Sequence, residues 1–213
     1  MIPASDYDQA EKRCLPYWKV FFDTILEFIP YDCNDILEMA SGTGFLTEIL
    51  VNKFPDADIT CLDINEDYIE FARHKEKLTD INFITGDMRE FVTHRKYDAI
   101  VISQALSFLN DRDRYKLAEN IHHMLKDDGV FIAGDIFSPA TSFEKELYLK
   151  LWTNFMVGNG LSPEEAKDMI DPLDDYCRGY TVSSFVEMLK SAGFSQVIVP
   201  YLREYYGIIV AYK

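Results

Sequence analysis

The sequence predicts an α/β protein with a doubly wound, mostly parallel, seven-stranded sheet that ends in an antiparallel hairpin. Three observations carry this. Continuous apolar runs alternate with helical stretches from about residue 36 to 136, the pattern of a parallel sheet covered on both faces. The first apolar run, Ile36-Leu-Glu-Met-Ala40, enters a Gly42-Thr-Gly44 turn, and the second, Ile59-Thr-Cys-Leu-Asp63, stops at an acid. The last two runs, Gln196 to Leu202 and Tyr206 to Tyr212, are separated by few residues and so pair antiparallel.

Strands are expected near 36–40, 58–63, 81–85, 97–103 and 129–136. Helices are expected near 44–53, 66–77 and 111–126, after an N-terminal apolar helical stretch near 17–29. Leu117, Ile121 and Leu125 recur every four residues and give the 111–126 helix one buried stripe. Beyond residue 137 the alternation breaks. Phe143 to Phe155 is rich in Leu, Tyr and Trp, and Gly158-Asn-Gly160 follows. Ser162 at the N-cap, Pro163 at N1 and Glu165 at N3 then form a capping box. Residues from about 138 to 180 therefore read as a helical cover inserted after the fifth strand. Thr181 caps a last helix carrying Phe185, Met188, Leu189 and Ala192, which stops at Gly193. With no long linker or repeat, residues 1–213 read as a single domain with an N-terminal lid of about 30 residues.

Right-handed crossovers place Gly42, Asp63, Asp87 and Gln104 along one edge of the sheet. Bare backbone N–H groups at a Gly-x-Gly turn and an acid at the next strand tip suit a nucleoside-containing cofactor. Two departures argue against a pyrophosphate: Thr47 stands where the dinucleotide fingerprint has its third glycine, and Glu38 precedes the turn. A carboxylate there repels phosphate and can hold an ammonium group.

Glu38-Met-Ala40-Ser-Gly42-Thr-Gly44 resembles the first motif of the class I S-adenosylmethionine (SAM) methyltransferases, a Rossmann-like family. Asp63, Gly86-Asp87-Met88 after the third strand, Tyr97 to Gln104, and Leu125 to Ala133 with Gly129 match later segments of that family in order. The resemblance implies that SAM is the cofactor and S-adenosylhomocysteine its product. It implies that Glu38 with Ala40, Ser41, Gly42 and Gly44 holds the methionine moiety, Asp63 with Ile64 the ribose, and Asp87 with Met88 the adenine. Ser103 and Gln104 are expected as further cofactor contacts, Gln104 being able to orient either cofactor or acceptor.

The family's common histidine after the fourth strand is absent from Gln104-Ala-Leu-Ser107-Phe108-Leu, so no catalytic base is assigned, and Ser107 remains a polar group able to orient the acceptor. Tyr7 and Tyr17 resemble a lid segment that closes over the cofactor, although Tyr17 also fits a packed N-terminal helix. Trp152 falls at helical spacing with Phe155, a core pattern as readily as a substrate cage. Tyr180 with Arg178, and Arg203 near the hairpin turn, complete the acceptor candidates. An arginine beside a cavity could grip a carboxylate bidentately. The cover also loosely resembles the carboxy-SAM synthase branch, which uses prephenate, and this stands as the alternative beside a non-catalytic SAM-binding module.

Other classes fit less well. A Tyr-x-x-x-Lys dehydrogenase pair is missing, because none of the 13 tyrosines has a lysine four residues later. The formal charge of −15, from 21 basic and 36 acidic residues, disfavours nucleic acid. The four cysteines are widely spaced, and His122-His123 point about 100° apart on a helix, so no metal site is expected. No run approaches the roughly 20 apolar residues of a membrane span, and Met1-Ile-Pro-Ala-Ser-Asp6 lacks a basic region followed by an apolar one, so no signal peptide is expected. A cytoplasmic protein acting on a small molecule is expected, its oligomeric state open and a homodimer among the options.

Overall fold

Seven strands form one sheet: β1 (Asp35–Met39), β2 (Asp58–Asp63), β3 (Asn82–Thr85), β4 (Tyr97–Ser103), β5 (Leu125–Ile136), β6 (Gln196–Arg203) and β7 (Tyr206–Tyr212). These come from a computed structural model that describes residues 2–172 and 177–213. The strand order is β3-β2-β1-β4-β5-β7-β6. Pairing is parallel from β3 through to β5 and antiparallel where β7 meets β5 and β6. The order reverses between β1 and β4, the point at which a doubly wound sheet opens a crevice beyond its strand ends.

Alternation along each strand divides the core in two. Ile36, Val101, Ile132 and Val210 face one side, where α2 (Trp18–Glu27), α3 (Phe45–Lys53) and α6 (Ser142–Gly158) supply Phe21, Phe22, Leu50 and Trp152. Their neighbours Leu37, Ile102, Phe131 and Ala211 face the other, against Leu117 and Ile121 of α5 (Asp111–Met124) and Phe185 and Leu189 of α8 (Val182–Ser191). Both faces are therefore covered, as continuous apolar runs require.

At the N-terminal edge of the sheet the charges are paired. Arg95 bridges Asp35 and Asp58 at 2.6 and 2.7 Å, and Lys126 bridges Asp35 and Asp98 at 2.8 and 2.9 Å. Asp98 also accepts the amides of Asn34 and Asp35, each at 2.9 Å. The starts of β1, β2, β4 and β5 are thus tied together.

Several boundaries differ from the sequence expectation. Residues 4–14 form a separate helix, α1 (Ala4–Cys14), because Leu15, which precedes Pro16, adopts ψ 109° and breaks the run. α5 stops at Met124, and Leu125 is buried as the first residue of β5 rather than as part of the helical stripe. α4 (Glu66–Arg73) ends short of residue 77, since Lys75 is extended before a 3-10 turn at Glu76–Leu78. The cover comprises α6, with a Thr141/Glu144 capping box, and α7 (Pro163–Ile170), with the expected Ser162/Glu165 box. Among the described residues no helix is long and apolar enough to cross a membrane.

Gly44 lies at φ +81°, and a Cβ there would sit 2.7 Å from Leu78 Cδ1 and 3.3 Å from Ala72 Cβ. Gly158, the last residue of α6, has nothing within 4 Å of such an atom. In urea unfolding, Gly44→Ala is expected to cost about 1–3 kcal/mol, whereas Gly158→Ala is expected to gain up to about 1 kcal/mol. Equal effects at the two sites would contradict this account of the glycine turn.

Candidate cofactor and acceptor site

The turn after β1 is built around Asp63. Its Oδ2 accepts the Gly42 amide at 2.7 Å and its Oδ1 accepts the Asn65 amide at 2.8 Å. The Ser41 amide reaches Leu62 O at 3.1 Å, so the loop lies on the tip of β2. Ala40 (φ 58°) and Gln104 (φ 54°) are both left-handed non-glycine residues, at the ends of β1 and β4. Such backbone costs about 1–3 kcal/mol and persists only where its surroundings enforce it.

Three cavities meet along this edge. The first, about 40 Å³, has Glu38, Ser41, Gly42 and Ser103 in its wall. The second, about 390 Å³, is lined by Asp63, Ile64, Asp87, Met88 and Leu109. The third, about 210 Å³, is mostly apolar and is lined by Cys14, Ser107, Trp152 and Tyr206. Ala40 borders the first and second, Phe108 the second and third, and Tyr7, Glu11 and Gln104 the first and third.

Two acids, Glu38 and Glu11, stand in the wall of the first cavity, and a third, Asp135, lies behind Ser107 and Ile136 of the third. Thr47 Oγ1 donates to Glu38 Oε2 at 2.6 Å, and Cys61 Sγ lies 3.7 Å from the same oxygen. Burial nevertheless pushes Glu38 up to about 7. Glu11 is pushed up to about 7, first by burial and then by Asp8, despite a hydrogen bond from Gln104 Nε2. Asp135 is pushed up to about 6 by burial, although it accepts the amides of Ile136 and Ser107 at 2.7 and 2.9 Å. Burial and then Glu11 raise the Tyr7 phenol above its usual range. Ser41 Oγ and Ser103 Oγ are buried in the cavity region without a partner among the described residues.

The structure brings Glu38, Ala40, Ser41, Gly42, Ser103 and Gln104 to the first cavity and Asp63, Ile64, Asp87 and Met88 to the second. Gly44 lines neither, because its α-carbon packs against Leu78 and Ala72. Asp87 is held by Arg89, whose Nε lies 3.0 and 2.9 Å from its two oxygens, and this pairing lowers its pKa.

The acceptor candidates separate. Tyr7, Ser107 and Trp152 line the third cavity. Tyr17 does not: it is the left-handed residue between α1 and α2, 47% exposed, with the Arg203 guanidinium 3.5 Å from its ring centre. Arg203 is therefore outside the cavity as well. Tyr180 is buried between Phe137 and Phe185, with Arg114 4.1 Å from its ring, which makes it a core residue. Arg178 lines a different cavity, with Ser138, Lys145 and Tyr205.

Glu11, Cys14, Arg89 and Tyr206 are among the lining residues that the sequence candidates leave out. Tyr7, Glu11 and Cys14 recur at i, i+4 and i+7, one face of a helix, and that spacing was the available signal.

Residues 36–129 match the family model of a methyltransferase domain. The carboxy-S-adenosyl-L-methionine synthase of Nautilia profundicola is 25% identical over 216 residues, covering 99% of this chain and 92% of that protein. A malonyl-[acyl-carrier protein] O-methyltransferase of Acetivibrio thermocellus is 32% identical over 130 residues, 60% of this chain and 44% of its own length. The solved SAM-dependent methyltransferase of Archaeoglobus fulgidus superposes with a TM-score of 0.70 at 15% identity, covering 97% of this chain and 99% of that one. The chain spans about half, 55%, of longer solved proteins of the same fold. This chain is thus similar to a methyltransferase domain over residues 36–129, and its fold is that of the solved SAM-dependent methyltransferase.

Proposed function

We propose that the chain transfers a methyl group from SAM, held across the first two cavities, to a small molecule in the third by in-line displacement. The observation that carries this reading is the junction at Tyr7, Glu11 and Gln104, where the wall of the small acid-lined cavity is also the wall of the apolar one. The residues present suit the cofactor. Each Asp63 oxygen accepts one amide and keeps a lone pair for a ribose hydroxyl. Met88, Ile64 and Leu109 offer an apolar bed for adenine, and Asp87 can share an amino group with Arg89. The partnerless Ser41 and Ser103 hydroxyls and the Glu38 carboxylate suit the polar end of an amino acid.

When bound, SAM supplies a methyl carbon already activated by its positive sulfur. The chain's own task is then to position and to exclude water. α1 and the cover do this by closing the third cavity with Tyr7, Glu11 and Trp152. The acids add a charge argument: beyond their hydrogen bonds from Gln104, Thr47 and Cys61 and a small contribution from Lys75, these carboxylates raised by burial gain from a cation at the site, because no lysine or arginine borders the first cavity among the described residues.

Carboxy-SAM synthesis is a second reading, favoured by similarity over nearly the whole length of both chains. It requires a cation to hold the added carboxylate. Among the described residues the third cavity has none and presents Glu11 instead, which supports plain methyl transfer. Mass spectrometry of ligand retained by the purified protein discriminates the two, with SAM or S-adenosylhomocysteine expected and a carboxylated cofactor favouring the second reading.

Calorimetric titration with S-adenosylhomocysteine is expected to show one site per chain. Asp63→Ala should weaken it at least about tenfold, since a charged hydrogen-bond acceptor is lost. No binding at millimolar ligand would refute the proposal.

The acids also set a pH dependence. Glu11 and Glu38 at about 7 and Asp135 at about 6 lie above their ordinary 4.5 and 3.8. Between about pH 5 and 8 the folded chain keeps protons that the unfolded chain has released, so stability falls as pH rises. Glu204, also raised by burial, acts in the same sense, and His122, held below 6.5, works the opposite way, one group against four. Asp35, Asp87 and Asp98, all lowered, contribute fully throughout this window. Tm of the ligand-free protein should therefore drop by several degrees from about pH 5.5 to 8, and the double variant Glu11→Gln/Glu38→Gln should flatten the slope. A Tm that rises across that window contradicts the burial of these acids.

A further inference from the structure

We infer that the third cavity selects a small apolar amine, with Glu11 as the group that holds its ammonium and takes its proton. The inference rests on the methyl-transfer reading and names the acceptor class that reading leaves open. Three observations carry it.

The first is position. Glu11 lies in the wall of both the first and the third cavity, so its carboxylate stands where an acceptor nitrogen would approach the methionine end. Gln104 fixes it there through an Nε2 hydrogen bond from the strained residue after β4.

The second is charge. The polar side chains lining the third cavity are Tyr7, Glu11, Gln104, Ser107 and Tyr206, with Cys14, and no lysine or arginine is among them in the described residues. The titratable and charged groups that face Glu11 from the surrounding elements are Tyr7, Asp8 and Cys14 of α1 and Tyr206 of β7. None of these is a cation. A phenolate or carboxylate acceptor would find hydroxyl and amide donors but no counter-ion, whereas an ammonium finds one in Glu11.

The third is size and polarity. A dry cavity of about 150 Å³ takes a benzene ring, so the 210 Å³ bounded by Leu15, Ile136, Trp152 and Met169 takes a ring with a short side chain.

The proton step balances. The ammonium N–H bond breaks, an O–H bond forms on the Glu11 carboxylate, and the electron pair left on nitrogen is the nucleophile. Burial raises the Glu11 carboxyl towards the range of the amine, which narrows the gap across which the proton must move.

The test uses the full chain saturated with S-adenosylhomocysteine and calorimetric titration with benzylamine, phenethylamine and cyclohexylamine. The neutral 2-phenylethanol and the anionic phenylacetate serve as shape controls. At least one amine is expected to bind about tenfold more tightly than the alcohol, and phenylacetate is expected not to bind. Glu11→Gln should reduce the amine to the level of the alcohol, with an unchanged circular dichroism spectrum reporting that the variant is folded. Should Glu11→Gln fail to fold, the discrimination among probes by the unmodified protein decides alone. Amines that do not bind, an alcohol or carboxylate that binds as tightly, or an amine preference that survives in Glu11→Gln each overturn the inference. Failure of the unmodified chain to bind S-adenosylhomocysteine overturns the methyl-transfer reading itself, and this inference with it.

Discussion

The two hydrogen bonds accepted by Asp63 hold the rest of the site in place. One fixes Gly42 and with it the turn after β1; the other fixes Asn65, whose side chain caps α4 by accepting the Asp67 and Tyr68 amides at 3.0 and 3.3 Å. The consequences run outward. Tyr68, on the first turn of α4, donates to Ile2 O at 2.8 Å and lies 5.2 Å from the Tyr7 ring, so the cap that begins at Asp63 also seats α1. Thr43, in the same glycine turn, donates to Asp8 at 2.6 Å, and Lys75 reaches Asp8 from beyond α4 at the same distance. An acid at the tip of β2 thus organises a turn, a helix start and a lid.

The two ends of the parallel sheet treat charge oppositely. At the N-terminal edge Arg95 and Lys126 neutralise Asp35, Asp58 and Asp98, and the aspartates at 35 and 98 are lowered accordingly. At the C-terminal edge Glu11, Glu38 and Asp135 are raised by burial and meet amides, hydroxyls and a side-chain amide in place of cations. Stability alone would not favour that arrangement, since an acid buried without a cation costs free energy. A positively charged ligand supplies the missing term, and the formal charge of −15 raises the local concentration of such ligands.

How much of this was legible in the sequence depends on how local the cause was. Capping boxes and the terminal hairpin rest on contacts within a few residues, and Ser162/Glu165, Thr181 and the 196–212 hairpin stand where the sequence puts them. The Gly-x-Gly turn and Asp63 were legible because a glycine turn and a strand-end acid each have a one-dimensional signature. Thr47 was legible only as a missing glycine; that its hydroxyl turns back onto Glu38 depends on one helical turn packing against β1, which no spacing states. α1 was missed because Ala4 to Cys14 is mostly polar and lacks an apolar stripe, its inner face being Tyr7, Glu11 and Cys14. Tyr17 and Arg203 are far apart in sequence and meet only in the fold, where each occupies the other.

The contrast between the first two helices explains how a site can be both fixed and accessible. α2 buries Phe21, Phe22, Ile25 and Leu26, and at about 1.5–3 kcal/mol for each buried side chain it is anchored against water. α1 fully buries Cys14, with Tyr7 and Glu11 partly covered. It is held instead by directional bonds: Gln104 to Glu11, Thr43 and Lys75 to Asp8, Trp152 Nε1 to Cys14 O at 2.7 Å, and Arg13 to the carbonyls of Asn159 and Gly160 at 3.1 and 2.6 Å. Water can replace each of these at a net cost of about 0.5–1.5 kcal/mol, up to about 3 where a charge takes part. The bonds of α1 can be exchanged for water one at a time, whereas the apolar side chains of α2 have no such substitute, and the break at Leu15-Pro16 separates the two helices. The element that walls both cavities is thus the one whose attachment is polar, local and exchangeable, which is what a cover over a site that must admit two reactants requires.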